Sequence, residues 1–308
     1  MGILFQNYTL GSILVFAIFV VVCIALNEVA RRSKVASIVL FGILPFVLAA
    51  LVYFGVMGSP TGKTWFGWVK VVSALIGVYG FWFIRHHKIG TTKFAYYFPV
   101  TILALNIAEA VYREFEVFQN FKELVTDPGG ILIIGGYWNV MNAIAGVLTI
   151  VTLTGFVGIK VSKDKSKDMV WPDMTWLYII GYTLWNFAYV YNCISTRSMY
   201  AGVGILLAAF LAEKIFKQGV WLQHRAQILT LYAMFSLSVD YQAMEVFKVV
   251  PNYTATNMYV ISTISLLFNI CVFAYLVYVM VKEKKNPLKE EILTHTKYYK
   301  QTIAANNL

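Results

Sequence analysis

The sequence predicts an all-α fold, a polytopic transmembrane bundle of about nine helices, and three observations carry that prediction. Apolar residues make up 59% of the 308 and charged residues only 13%, against about a quarter charged in soluble domains. Apolar runs approaching the ~20 residues that a helix needs to cross a hydrocarbon core recur along the whole chain. Between them, no stretch combines polar alternation with turn signals over the length that a soluble core requires. The expected organisation is one membrane domain, residues 1–285, followed by a polar, frayed cytosolic tail, 286–308.

The nine segments are 9–29, 35–56, 66–84, 94–112, 131–159, 174–194, 198–216, 220–245 and 257–281. The first has no basic residue ahead of it and no small-x-small cleavage site, so it is expected to be a retained helix and not a removed signal. In the fourth, Asn106, Glu109, Arg113 and Glu116 follow 3, 4, 3 spacing and share one face, with Ile107, Val111, Phe115 and Phe118 on another. An i, i+4 pair between Glu109 and Arg113 is the plain structural reading of that face. The fifth segment brings Trp138, Asn139 and Asn142 to the same depth. The sixth opens on Trp171-Pro172-Asp173, where Pro fixes the first turn and Asp173 favours the positive helix end. It then carries Tyr182, Asn186, Tyr189 and Asn192.

The seventh segment ends in Glu213 and Lys214 after a very short turn, so eight helices plus a re-entrant piece is the alternative count. The eighth starts at Trp221-Leu222-Gln223-His224-Arg225 and carries Ser236, Asp240 and Glu245. Asp240 is the sharpest single candidate, since a carboxylate inside an apolar helix costs about 2.5–3.5 kcal/mol and demands a partner, a wet cavity or a proton. Lys70 or Arg113 is the expected partner if the role is structural. Asn269 in the ninth segment reads as packing glue, and Glu28 with Asn27 as charge placed at a helix end.

Sidedness follows from the basic residues. In the nine-helix arrangement 19 of the 25 lysines and arginines fall on one side, which places the N-terminus outside and the C-terminus in the cytosol. The same clustering accounts for the net charge of +10 without nucleic acid. Cys23, Cys193 and Cys271 lie in or beside apolar runs with no metal or redox spacing. His86 and His87, flanked by Arg85 and Lys88, are expected to be solvated at the interface and not to bind metal. No Walker, GxGxxG, HExxH or GxSxG signature occurs, so no catalytic residue, cofactor or metal site is predicted and enzymatic activity stays open.

The stretches Ala25-Leu26-Asn27-Glu28, Trp68-Val69-Lys70, Asn106-Ile107-Ala108-Glu109-Ala110-Val111, Trp138-Asn139-Val140-Met141-Asn142, Lys167-Asp168-Met169-Val170-Trp171-Pro172-Asp173, Trp185-Asn186-Phe187-Ala188-Tyr189-Val190-Tyr191-Asn192 and Trp221-Leu222-Gln223-His224-Arg225 resemble a bacterial membrane family of unknown function. The resemblance spans most of the chain and implies a multi-pass inner-membrane protein, with no activity or cofactor to carry over. A looser architectural likeness to retinal proteins is disfavoured, because 257–281 holds no lysine for a Schiff base.

The functional expectation is a transporter or binding protein for a small molecule or ion, with a polar cavity in the outer half of the bundle. Glu109 and Asp240 would titrate or coordinate a cation, and Arg113 would pair an anionic group. Asn106, Asn139, Asn142, Asn186, Tyr189 and Asn192 would orient the ligand. The expected partners are the lipid bilayer and that ligand, with homo-oligomerisation open. A membrane-embedded enzyme acting on a lipid or hydrophobic substrate, or a sensor or assembly partner, are the alternatives.

Overall fold

The computed structural model describes residues 3–308. Ten helices follow one another: α1 Leu10–Arg32, α2 Lys34–Tyr53, α3 Trp65–His86, α4 Phe94–Asn120, α5 Tyr137–Val151, α6 Trp176–Cys193, α7 Ser195–Phe216, α8 Trp221–Ser238, α9 Ala255–Glu283 and α10 Lys297–Ala305. Strand is confined, among the described residues, to three two-residue antiparallel pairs.

Local chemistry explains where the helices start and bend. Thr9 and Ser12 exchange side-chain and backbone hydrogen bonds (2.9 and 3.1 Å) in a capping box that opens α1. In α2, a π-helical stretch, Ile38–Ile43, precedes Pro45, whose missing N–H would otherwise break the α-helical ladder. Helix α9 has 29 residues, about 44 Å at 1.5 Å per residue, so it passes well beyond a ~30 Å hydrocarbon layer.

Six helices, α1, α2, α3, α4, α7 and α9, are long and apolar enough to cross a membrane. The way burial is distributed gives the reason. The apolar windows of α1, α2 and α9 are only 22%, 17% and 28% buried inside the protein, so Leu14, Ile18, Val21, Val47 and Leu267 point outward. By contrast, fifteen of the 18 residues of α8 are buried, and they include Gln223, His224, Arg225, Gln227 and Thr230. Apolar side chains outside and polar ones inside invert the order of a water-soluble protein, and lipid is the solvent that satisfies it. Helix α8 packs against α3 and α7, and α9 against α5 and α6. Asn269 ties that second contact, donating to the Gly181 carbonyl (3.1 Å) and accepting from Thr149 Oγ1 (3.1 Å), which is the glue role expected of it.

Loop contacts gather at both ends of the bundle. At one, Phe5–Gln6 pairs with Val250–Pro251, Gly58 bridges Val239 and Arg197 donates to the Gly129 carbonyl (2.7 Å). At the other, Arg31 and Arg85 at the ends of α1 and α3 meet the loop after α5 at Asp168, and that loop and the one after α7 meet the C-terminal residues. Several sequence expectations are corrected here. Residues 131–159 hold a helix only over Tyr137–Val151, entered through a hairpin, Val125–Thr126 with Leu132–Ile133. Helix α8 stops at Ser238, so Asp240 lies in the loop just before a 3-10 turn, Tyr241–Ala243, and Glu245 opens another, Glu245–Phe247. The buried stripe of α4 is Leu103, Ile107, Ala110, Glu114 and Val117, while Phe115 is exposed.

The tail is not frayed. The amides of Ile292 and Leu293 donate to Asp173 (3.3 and 2.6 Å), Tyr298 donates to Glu213 (2.5 Å) and Asn306 donates to the Gln218 carbonyl (2.9 Å). Gly219 sits at φ +86°, with Thr302 where a Cβ would go, so the tail packs on a position that only glycine fills easily. Asp173 therefore serves the tail, and Thr175 is the N-cap of α6, contrary to the capping role expected for Asp173.

A candidate ligand cavity and the polar clusters around it

A cavity of about 430 Å³ runs between α3, α4, α6, α7 and α8, within the range of small-molecule sites. Thr61, Lys63, Asp127 and Pro128 form its loop rim, and Ser236, Leu229 and Arg225 mark successive levels along α8. Eleven residues separate Arg225 from Ser236, so the cavity follows α8 for about 17 Å. That is deeper than an outer-half pocket.

Five basic side chains line it, Lys63, Lys70, Arg113, Arg197 and Arg225, against one acidic residue, Asp127. Most have partners: Lys70 meets Glu109 (3.1 Å), and Arg113 meets Glu116 (2.7 Å) and, more loosely, Asp127 (3.9 Å). Arg225 is different. It is 5% exposed, it donates from Nη2 to Asn186 Oδ1 (3.2 Å), and its Nε and Nη1 have no hydrogen-bond partner. Asn106 Oδ1 and the Tyr189 hydroxyl, in the same lining, are also without one.

Behind the wall lies a second polar cluster. Glu114 is fully buried on α4 and accepts from Asn142 Nδ2 (2.7 Å), Asn139 Nδ2 (2.5 Å) and Cys193 Sγ (3.2 Å). The amide orientations are fixed from the far side. Asn139 Oδ1 accepts from the Gly136 amide (2.9 Å) and Asn142 Oδ1 from Ser265 Oγ (2.8 Å), so both NH₂ groups turn to the carboxylate.

A third cluster closes the opposite end. Asp168, fully buried, receives Arg31 (2.6 Å) and Gln223 Nε2 (2.9 Å), with Arg85 at 3.7 Å. Arg31 also holds Glu28 (2.7 Å), and Asn27 meets His224 Nδ1 (2.8 Å). Glu28 and Asn27 are thus buried structural partners, not cheaply solvated helix-end groups. In the adjoining loop Asp164 is bound by Lys217, Ser166 and Ser162. Burial raises its carboxyl, but those bonds outweigh burial and hold it below the usual carboxylate range. Asp173 goes the other way, because burial outweighs its donors and lifts it.

The nine residues expected to form a site are divided by the structure. Asn106, Arg113, Asn186 and Tyr189 line the cavity together. Glu109 stands beside it, neutralising Lys70. Asn139 and Asn142 face Glu114, and Asn192 reaches α9 through Ser262 (3.0 Å). Asp240 is half-buried in its loop and outside the lining. Neither expected partner is its own, since Lys70 takes Glu109 and Arg113 takes Glu116.

Two residues outside the expected site complete the polar interior. Glu114 had a signal, since it continues the 4, 3 spacing of Leu103, Ile107 and Ala110 on the buried stripe. Arg225, at the start of the eighth predicted segment, lies one turn into α8 and faces the cavity floor.

Apolar helices turned outward around a polar, cavity-bearing interior define a helical membrane protein. Residues 6–305 match a family described as "Family of unknown function (DUF5692)", and the chain belongs to it. No curated protein and no solved structure matches the chain.

Proposed function

We propose that the chain is a multi-pass inner-membrane protein of bacterial type that binds a small molecule in the α3–α4–α6–α7–α8 cavity and passes it across the membrane. The single observation that carries this reading is the cavity itself, about 430 Å³, lined by polar, aromatic and aliphatic side chains and rimmed by loops at one end of the bundle. The buried Asp168 cluster lies beyond its floor, as a barrier on the other side must. In this reading all of α1 to α9 cross, the N-terminus is outside, and the basic loops gathered around Asp168 are cytosolic. The shorter α5, α6 and α8 cross as interior helices shielded from lipid by their neighbours.

A thermal-shift screen of the purified protein against small molecules of every charge tests the site, because a specific ligand stabilises the folded state by mass action. Ala201 lines the cavity, and Ala201→Trp is expected to abolish every specific hit. Hits that survive the substitution, or none in wild type, refute the proposal. Proteoliposome uptake of a hit then separates carriage from binding.

A further inference from the structure

We propose that the cavity selects a small organic oxyanion, a carboxylate or phosphate on an apolar or aromatic body, and that Arg225 is the residue that recognises its charge. This rests on the cavity being a ligand site, as proposed above, and adds the chemical class of the ligand.

Four observations converge on it. First, Arg225 is 5% exposed and lines the cavity, yet Nε and Nη1 make no hydrogen bond. A buried guanidinium with two unused N–H edges suits an oxyanion, which accepts from both in a planar fork. Second, among the described residues the only side-chain acceptor bonded to it is the neutral Asn186 amide oxygen. No carboxylate among the described residues lies within ion-pair distance of it, in contrast to Arg31, Lys70 and Arg113 in the same bundle. Third, the lining is one-sided in charge, since Lys63, Lys70, Arg113, Arg197 and Arg225 outnumber Asp127. Even with Glu109 and Glu116 counted as partners of Lys70 and Arg113, positive charge remains in excess. In a low-dielectric surrounding that excess repels a cation and attracts an anion. Fourth, the walls beside Arg225 are aromatic and aliphatic. Tyr182 lies 5.9 Å beneath the guanidinium, and Leu229, Ile205 and Tyr189 share the lining, so the body of the ligand is apolar where its head is charged. The cation role expected of Glu109 and Asp240 has no counterpart here, because Glu109 is engaged with Lys70 and Asp240 lies outside the lining.

The test is a charge series of one shape, benzoate, phenyl phosphate, benzamide and benzylammonium, titrated by calorimetry and thermal shift into the full-length protein in neutral detergent. Benzoate or phenyl phosphate is expected to bind at least tenfold more tightly than benzamide, with benzylammonium weakest. Arg225→Gln removes that preference and Arg225→Lys keeps part of it. Equal or tighter binding of benzylammonium, or a preference for anions that persists in Arg225→Gln, overturns the anion assignment. Where such binding is still lost in Ala201→Trp, the cavity reading survives that failure. Absence of any binder sensitive to Ala201→Trp overturns both. If Arg225→Gln does not fold, the wild-type series decides alone, with indifference to charge counting against the proposal. Repeating the benzoate titration in nanodiscs of phosphatidylcholine and of phosphatidylglycerol separates the two sources of oxyanion. Competition by phosphatidylglycerol that needs Arg225 identifies a lipid headgroup, and unchanged affinity identifies a free solute.

Discussion

Asp168→Asn is the sharpest test of the closed end of the bundle. The carboxylate is fully buried, Arg31 reaches it at 2.6 Å while itself 5% exposed, and Gln223 and Arg85 approach the other oxygen at 2.9 and 3.7 Å. Removing one partner of a buried ion pair typically costs 3–5 kcal/mol, because the other charge is left uncompensated. Here the lower figure applies. Arg31 keeps Glu28 (2.7 Å), and Arg85 keeps the carbonyls of Arg31, Ser166 and Lys167 (2.5, 2.9 and 3.2 Å). A loss of roughly 3 kcal/mol lowers the folding equilibrium constant by more than about a hundredfold, at 1.4 kcal/mol per decade. The assay is reversible unfolding in mixed micelles, followed by fluorescence of the buried tryptophans. The control is Glu245→Gln, whose carboxylate is 81% exposed in its pair with Lys248, and which is expected to unfold like wild type. If Asp168→Asn stays within about 1 kcal/mol of wild type, the cluster is not the closure inferred here.

Other outcomes follow from the same geometry. Glu114→Gln must turn an NH₂ toward an asparagine NH₂ that is already pinned, so it should lose about 1–3 kcal/mol for one orphaned donor; equal stability by the same micelle assay would show the amides free to flip. Deleting 286–308 strips Asp173 of two amide donors and Glu213 of one hydroxyl, at roughly 1.5–3 kcal/mol for each bond to a charged group; an unchanged melting temperature would disprove the docked tail. For Asp164, whose carboxyl is held below its ordinary value by Lys217 and two serines, the stabilisation is complete above the unfolded value of about 3.9 and is lost only as pH falls through the lower folded value. The difference in hydrogen exchange across 297–305 between wild type and Asp164→Asn should therefore be constant from pH 8 to 5 and shrink below 4. A difference that already shrinks at pH 6 would contradict the assignment.

The long apolar helices were legible because lipid-facing surface needs no partner elsewhere in the chain, so composition over some twenty residues specifies it. Helix ends were less so. Tyr241 and Phe247 continue the apolar run of 220–245, but they leave the helix to pack with Tyr200 and Phe235, a tertiary contact that no local pattern encodes. The cavity lining was half legible. Asn106, Arg113, Asn186 and Tyr189, which line it, stand out singly as polar residues on membrane helices. Which of them share a cavity depends on helix rotation, and so does the assignment of Arg225 and Glu114. The Arg31–Asp168 pair joins positions 137 apart in sequence, and neither residue's neighbourhood announces the other.

Helix α8 carries Gln223 against Asp168 and Arg225 against the cavity, two positions apart. Successive residues of a helix are turned by about 100°, so the azimuth of α8 sets both contacts at once. Gln223 clamps that azimuth twice, donating to Asp168 (2.9 Å) and accepting from the Met169 amide (3.0 Å). The compass bearing of the guanidinium is thus fixed from outside the chamber it lines, so, if Arg225 recognises an anion as proposed, Gln223→Ala should weaken benzoate binding by calorimetry without touching a single wall residue.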